Sequence, residues 1–178
     1  MIKKRDISKN CKYLLDEWKE NLNLTNYERT KFEDILTALD FQINKLEKKQ
    51  MQISVYGRVG VGKSSLLNAL IEKQIFPTDI VNGNTKINKS YEWSVRFTSL
   101  NKVELIDSPG INEVNNFCNE QKNFDRALDT DLILFVIDSD ITRIDLHSIK
   151  NFLKNNKPIL IVLNRCDQWS EKETKLII

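Results

Sequence analysis

Eight consecutive residues near the middle of the chain have the types and spacing that bind phosphate. Residues 57–64 fit the pattern G-x-x-x-x-G-K-[ST], after a predicted strand and before a predicted helix. Glycines let backbone N–H groups curve around phosphate oxygens, and the helix N-terminus adds partial positive charge. The lysine of this pattern bridges the β- and γ-phosphates, and the final hydroxyl ligates Mg²⁺. The residues are Gly57, Arg58, Val59, Gly60, Val61, Gly62, Lys63 and Ser64.

An acidic turn follows a later predicted strand. Its sequence, Asp-Ser-Pro-Gly, runs from Asp107 to Gly110. A carboxylate at a strand end beside the phosphate loop can hold Mg²⁺, usually through a water, and Gly110 can bring its N–H to the γ-phosphate. The same four residues alone also form an ordinary turn. Their place after a strand, downstream of the phosphate loop, favours the magnesium interpretation.

Base recognition is predicted from the residues that follow the apolar run 159–163. They are Asn164, Arg165, Cys166 and Asp167. The Asp167 carboxylate can accept hydrogen bonds from the ring N–H and the exocyclic amine of guanine. Adenine presents a lone pair there, and a buried unpaired acceptor costs about 1–3 kcal/mol. Asn164 would tie this loop to the phosphate loop, and Arg165 would lay its planar guanidinium against the base. N-x-x-D alone is common, but as the third element in order it predicts guanine.

With these three motifs in order, the sequence resembles the P-loop GTPases of the translation-factor-related class. The likeness is to the Era-like group and its bacterial dynamin-like relatives, and it runs from about residue 51 to residue 178. It implies an α/β, Ras-like P-loop GTPase fold with a mainly parallel sheet and flanking helices. It also implies GTP/GDP and Mg²⁺ as cofactors and a GTP hydrolase that acts as a molecular switch. The alternatives are a nucleotide-binding interaction module without turnover, a fragment of a membrane-associated dynamin-like assembly GTPase, and an ATP-binding P-loop protein.

The family's second motif is a threonine in a mobile loop that closes on Mg²⁺ and the γ-phosphate. Thr85, in Gly-Asn-Thr-Lys, is similar to the stretch found there, and Thr78 is a competitor. Ser65 would correspond to the residue that contacts the α-phosphate. The resemblance therefore implies the metal ligands Ser64, Thr85 and Asp107, and the catalytic residues Lys63, Thr85 and Gly110.

The sequence departs from the family pattern at three positions. Arg165 replaces the usual lysine, which predicts weaker or altered affinity rather than a lost site. Ile111 stands where Ras-type enzymes carry the glutamine that orients water, so hydrolysis should be slow unless a partner supplies that role. Gly60 stands where potassium-activated members carry an asparagine, which weakens the case for that mechanism. Arg58 is a candidate finger acting in cis, but we favour a solvated loop side chain.

The first 50 residues predict a helical hairpin ahead of this domain. They contain no glycine or proline, and apolar residues recur at steps of three and four. Thr25 and Glu28 form a predicted capping box that begins the second helix. The apolar positions are Ile7, Cys11, Leu14, Leu15, Trp18 and Leu22 in the first helix, and Phe32, Leu36, Leu39, Ile43 and Leu46 in the second.

Residues 51–178 predict strands that alternate with helices, as in a mainly parallel sheet. The strands at 91–97 and 103–106 should be antiparallel neighbours, because the link between them is short. The two most apolar strands have a helix at about 145–154 between them and should be buried. The predicted strands are Gln52–Tyr56, Tyr91–Phe97, Val103–Ile106, Leu132–Ile137 and Ile159–Leu163.

Composition excludes several classes of protein. The 178 residues carry 27 Lys+Arg and 25 Asp+Glu, a formal charge of +2, which argues against a dedicated nucleic-acid binder. An apolar fraction of 40% is enough to build a core. Three cysteines far apart form no disulfide framework. We find no secretory signal and no apolar run near the ~20 residues needed to span a bilayer, and therefore expect a cytoplasmic protein.

The resemblance also predicts how the chain divides into domains and which parts would contact partners. Family members continue past the fourth motif with a strand, a base-contacting loop and a closing helix, so we expect residues 51–178 to form a GTP-binding domain without the final strand and helix. The helices of residues 1–50 are expected to pack together and against that domain, and they are also candidates for contact with an effector or a second copy. A membrane surface would be reached only through segments after residue 178.

Overall fold

The chain divides into two units, one of helices and one built on a sheet. The computed structural model describes residues 7–78, 89–94, 97–110, 117–168 and 170. One unit comprises Met1–Met51 with Val95–Lys102, and the other comprises Gln52–Ser94 with Val103–Ile178. Among the helices in these described ranges, none has the length and apolar character of a membrane span.

The described residues of the helical unit form three helices where the sequence predicts two. They are α1 (Ile7–Glu20), α2 (Asn26–Lys31) and α3 (Glu33–Lys48). The capping box of Thr25 and Glu28 is confirmed at the start of α2. The predicted second helix is interrupted at Phe32, whose φ of −104° and ψ of 11° leave the helical region. The prediction of one continuous helix after Thr25 is therefore wrong by this single break.

Helix α1 packs on α3, and ion pairs join their polar faces. Lys12 Nζ lies 2.8 Å from Glu47 Oε1, and Lys19 pairs with Asp40. The predicted apolar face of α1 is only partly used, because Leu14 is 61% exposed and Trp18 is 54% exposed. Periodicity identifies which residues share a face, but it does not say whether the chain covers that face.

The described part of the second unit contains five strands, β1 (Gln50–Tyr56), β2 (Lys89–Trp93), β3 (Lys102–Asp107), β4 (Leu132–Ile137) and β5 (Ile159–Leu163). They form one sheet in the order β2-β3-β1-β4-β5. Strands β1, β4 and β5 run parallel, whereas β2 and β3 are antiparallel, as the short link predicts. The helices are α4 (Lys63–Ile71), α5 (Phe117–Asp129) and α6 (Arg143–Lys154). This mixed, mostly parallel arrangement confirms the predicted α/β class.

The sheet and its helices enclose a core in which aromatic rings meet. Phe152 of α6 is fully buried, lies edge-on to Tyr56 with ring centroids 4.9 Å apart, and stacks on Phe124 of α5 at 4.4 Å. Buried aromatic pairs add stability beyond the area they bury. The core fixes α5 and α6 against the sheet and thereby holds the carboxyl ends of β1 and β4, where the candidate site lies.

One prediction about the sheet is wrong, and one helix beside the sheet is missed. The apolar character of the run 159–163 predicts a buried strand, but the run forms an edge strand in the described sheet, with Leu160 54% exposed and Ile161 46% exposed. The sequence does not predict helix α5, because its segment is polar; Phe124, Ala127 and Leu128 of this helix pack into the core.

Candidate functional site

The phosphate loop lies between β1 and α4, at the carboxyl end of the sheet. The cap of α4, Gly62, has a φ of 88° and offers no side-chain acceptor, and the first turn of α4 carries no acidic residue. The first N–H groups of a helix have no partner within the helix. No acidic side chain in the first turn of α4 neutralises the positive end of the helix. This end can therefore bind an anion.

The ammonium group of Lys63 lies inside this loop. Its Nζ donates to the carbonyl oxygens of Gly57, 3.0 Å away, and Arg58, 2.9 Å away. Lys63 is 8% exposed, so its charge is largely removed from water. Burying a cation costs free energy unless acceptors or an anion compensate it. The arrangement holds a positive charge where the sequence predicts the phosphates.

Ser64 and Asp107 join the first motif to the third. The Ser64 hydroxyl donates to Asp107 Oδ2 over 2.7 Å, and Asp107 is fully buried. Its second oxygen, Oδ1, is buried and accepts no hydrogen bond from the residues that the structure describes. Burial raises the pKa of Asp107, against the hydrogen bond from Ser64 and the charge of Lys63. A buried carboxylate with a free oxygen beside a hydroxyl is a set of hard oxygen donors, which fits Mg²⁺.

The turn after Asp107 is packed against the phosphate loop. The Ser108 hydroxyl donates to the carbonyl of Val55 at the end of β1. A Cβ added to Gly110 would lie 2.6 Å from Val59 Cγ2 and 2.7 Å from Val59 N, so only glycine fits this approach. The third motif therefore packs closely against the first.

The fourth motif contacts the phosphate loop from the other side. Asn164 donates from Nδ2 to the carbonyl of Val61 over 2.8 Å, the tie that the sequence predicts. Arg165 donates from Nη2 to the carbonyl of Gly60 over 2.7 Å, and its Nη1 lies 3.3 Å from Asp138. Asp167 stands in a 3-10 turn (Cys166–Gln168) and is exposed, with no partner for its carboxylate among the described residues.

Arg58 does not behave as the solvated loop side chain that we favour from the sequence. It is 22% exposed, donates to Ser139 Oγ over 3.0 Å and lies 3.4 Å from Asp138. Its Nε is 3.1 Å from Oδ2 of Asp145, which is fully buried. That prediction is wrong because two acidic residues after β4 compensate the guanidinium, and neither is visible from the loop sequence alone.

The remaining predicted residues are not all brought together. Ser65 is exposed in the first turn of α4, and Thr78 is exposed at the end of the described loop after α4. Thr85 and Ile111 lie outside the described residues. The choice between Thr85 and Thr78 therefore stays as the sequence leaves it.

Sequence reasoning missed Asp138, which lies in the site, and Asn68, which holds the loop after α4. Asp138, directly after β4, contacts both arginines of the flanking loops. Asn68 of α4 is buried and donates from Nδ2 to the carbonyl of Phe76, while its Oδ1 accepts from the N–H groups of Ile75 and Phe76. The polar residue at a strand's carboxyl end is the one signal that marks Asp138. Asn68 lies in the middle of a helix and carries no such signal.

The comparisons with known proteins agree with this geometry. Residues 52–165, more than half of the chain, match the family model described as 50S ribosome-binding GTPase. GTPase Der of Buchnera aphidicola subsp. Schizaphis graminum is 30% identical over 162 residues, covering 85% of this chain and 35% of the relative. GTPase Era of the same organism is 31% identical over 123 residues, covering 67% of this chain and 41% of the relative. The chain thus spans less than half the length of either relative.

Solved structures of Era share the fold of most of this chain. A variant of Aquifex aeolicus Era bound to GDP·AlF4⁻ is similar with a TM-score of 0.63 and 25% identity, over 72% of this chain and 45% of that chain. Era in complex with MgGDPNP and a segment of 16S ribosomal RNA is similar with a TM-score of 0.60 and 26% identity, over 72% of this chain and 44% of that chain. The predicted Ras-like P-loop fold is confirmed.

Two glycines of the phosphate loop allow a matched test of its packing. Gly60 and Gly62 have φ of 86° and 88°, so alanine at either strains the backbone by about 1–2 kcal/mol. A Cβ at Gly60 meets nothing within 4 Å, whereas one at Gly62 lies 2.3 Å from Asn164 Nδ2. In urea unfolding, Gly62→Ala should lose about 0.5–1.5 kcal/mol more than Gly60→Ala, because Asn164 must leave Val61. Equal losses would contradict this packing.

Proposed function

The chain belongs to the family described as 50S ribosome-binding GTPases, and from this premise we propose that it binds GTP and GDP with Mg²⁺ and hydrolyses GTP as a molecular switch. The observation that carries the proposal is the contact of three motifs around one loop. Asp107 binds Ser64 at 2.7 Å on one side, and Asn164 binds Val61 at 2.8 Å on the other. We assign nucleotide binding to residues 51–178 and treat residues 1–50 as a separate helical part.

At the phosphate end, Lys63 supplies the positive charge. Its ammonium, held between the carbonyls of Gly57 and Arg58, would contact the β- and γ-phosphates. The N-terminal turn of α4, with Ser65 in it, would add backbone donors, as helix N-termini do for anions. This part of the site is preorganised, because the loop that binds the phosphates already holds the lysine in place.

Ser64 and Asp107 are the residues that would hold Mg²⁺, together with Thr85 or its competitor Thr78. The ion, when bound, neutralises negative charge on the phosphates. The fit rests on Asp107, whose buried Oδ1 accepts no hydrogen bond from the described residues and whose other oxygen accepts one from Ser64. Gly110, packed on Val59, would sense the γ-phosphate through its N–H.

At the base end, Asp167 selects guanine. Its exposed carboxylate can accept from the ring N–H and the amine of guanine, and adenine would leave it facing a lone pair. Asn164 and Arg165 hold the loop on the carbonyls of Val61 and Gly60, so the base and phosphate ends share one scaffold. Guanine selectivity over adenine follows from this carboxylate.

The family membership also supports general proposals about the partners and the location of the protein. We propose that the helical part, with its exposed Leu14 and Trp18, contacts an effector or a second copy of the chain. A cytoplasmic location is supported by the family and by free Cys11 and Cys166. The Era structure bound to ribosomal RNA describes that protein, and the near-neutral charge here argues against direct nucleic-acid binding.

The base assignment predicts a change of nucleotide. Asp167→Asn replaces the acceptor with an amide that can donate, so preference should move from GTP towards xanthosine triphosphate by about tenfold or more. The measurement is competition of GTP, xanthosine triphosphate and ATP against a fluorescent guanine nucleotide. Asp129→Asn, an exposed site at the end of α5, is the control and should leave all three affinities unchanged.

Retained guanine preference in Asp167→Asn would count against the base assignment. Wild-type protein that binds ATP as well as GTP would point instead to a general P-loop ATP-binding protein.

Turnover is predicted to be slow, because Ile111 cannot hydrogen-bond the attacking water. Charge stabilisation would then come from Lys63, Mg²⁺ and backbone amides rather than from a side-chain base. Single-turnover hydrolysis of GTP by the purified chain, dilute and concentrated, measures the rate. A slow but measurable rate supports the enzyme, and a rise with concentration indicates activation by a second copy. A rate equal to that of free GTP would favour an interaction module that binds without turnover.

A further inference from the structure

A single carboxylate lies between the phosphate loop (57–62) and the base loop (164–167). Asp138 directly follows β4, and its side chain is 20% exposed. Oδ1 lies 3.4 Å from Nη2 of Arg58 in the phosphate loop, and Oδ2 lies 3.3 Å from Nη1 of Arg165 in the base loop. Asp138 therefore contacts both loops, one with each oxygen.

The guanidinium of Arg165 binds two acceptors at once. Nη1 contacts Asp138 while Nη2 donates to the carbonyl of Gly60 over 2.7 Å. The backbone of Arg165 has a φ of 58°, a left-handed conformation that non-glycine residues adopt at a cost. The two side-chain contacts hold the residue in that conformation and draw the base loop against the phosphate loop.

The charges around Asp138 balance. Arg58 also contacts Ser139 at 3.0 Å, and its Nε lies 3.1 Å from the fully buried Asp145. Two guanidinium groups thus meet two carboxylates in a half-buried cluster, where salt screens ion pairs less than at the surface. Loss of the Asp138 charge would leave an excess of positive charge and release one contact of each arginine.

We propose that Asp138 is a positioning residue of the nucleotide site, which sets affinity for guanine nucleotides by holding Arg165 and Arg58 and with them the spacing of the two loops. The proposal rests on the proposed function, since it concerns the same site. Asp138 acts through the arginines, and both loops serve GTP and GDP alike. Its loss should therefore weaken both nucleotides equally and leave the rate of hydrolysis of bound GTP unchanged.

The dependence of nucleotide affinity on Asp138 follows from the arginine at position 165. A guanidinium presents donors in a fixed plane and can bind the Gly60 carbonyl and Asp138 together, whereas a lysine ammonium is a point charge on a flexible stem. With Arg165→Lys, the contact with Gly60 can be made without Asp138. Neutralising Asp138 should therefore weaken nucleotide affinity when residue 165 is arginine and change it little when residue 165 is lysine.

The test is a double-mutant cycle on the whole chain. Dissociation constants for GDP and a non-hydrolysable GTP analogue, and the single-turnover rate with GTP, are measured for wild type, Asp138→Asn, Arg165→Lys and the double variant. Asp138→Asn should raise both dissociation constants about fivefold with a rate within about twofold of wild type. In the Arg165→Lys background, the same change should have less than about a twofold effect. Asp140→Asn, two residues further along and exposed, is the control and should match wild type.

Several results would overturn the proposal. They are a wild-type dissociation constant for Asp138→Asn, an equal effect in both backgrounds, and a fall in rate without a change in affinity. If Asp138→Asn does not fold, Asp138→Ser repeats the cycle, and failure of both to fold would show a structural role alone. Wild-type protein that binds no guanine nucleotide would contradict the proposed function itself, which distinguishes the two failures.

Discussion

The phosphate loop is held in contact with its neighbours on two sides, and the site depends on this close approach. Asn164 meets Gly62 so closely that a Cβ there would lie 2.3 Å from its amide nitrogen, while Gly110 lies against Val59. These contacts place the turn after β3 and the loop after β5 on one short stretch of backbone. A parallel sheet brings the carboxyl ends of its strands to one edge, and the loop after β1 collects what those ends carry.

Buried charge is a second constraint on the site, because the site buries both a positively and a negatively charged side chain. Lys63 is 8% exposed among carbonyl oxygens, and Asp107 is fully buried beside the Ser64 hydroxyl. Each charge is costly without compensation, and a nucleotide with a divalent cation supplies the opposite sign to each. Arg58 shows the other solution, in which the chain itself provides the acidic residues. The nearly neutral net charge of +2 therefore conceals strong local charges that matter for binding.

Much of the site could be predicted from the sequence, because the residues of each motif have a fixed spacing and each motif directly follows a predicted strand. The strand at Leu132–Ile137 has the predicted bounds, and the Asn164 tie to the phosphate loop is present. The features that the sequence did not predict depend on tertiary contacts. The break at Phe32 is a local backbone departure that periodicity does not register, and Asp138 acquires its role only when two distant loops meet around it. The exposed edge strand β5 looks in sequence like a buried one, since apolar character does not reveal what lies beside a strand.

The proposed function depends first on Lys63, whose ammonium, buried in the phosphate loop, would supply the charge that binds the nucleotide's phosphates. The most direct test is the dissociation constant of GTP for Lys63→Ala beside wild type, with Lys154→Ala, exposed at the end of α6, as a control for loss of a positive charge. We predict that Lys63→Ala abolishes tight GTP binding in a folded protein, while Lys154→Ala binds as wild type does. An unchanged dissociation constant in folded Lys63→Ala would contradict this role of Lys63.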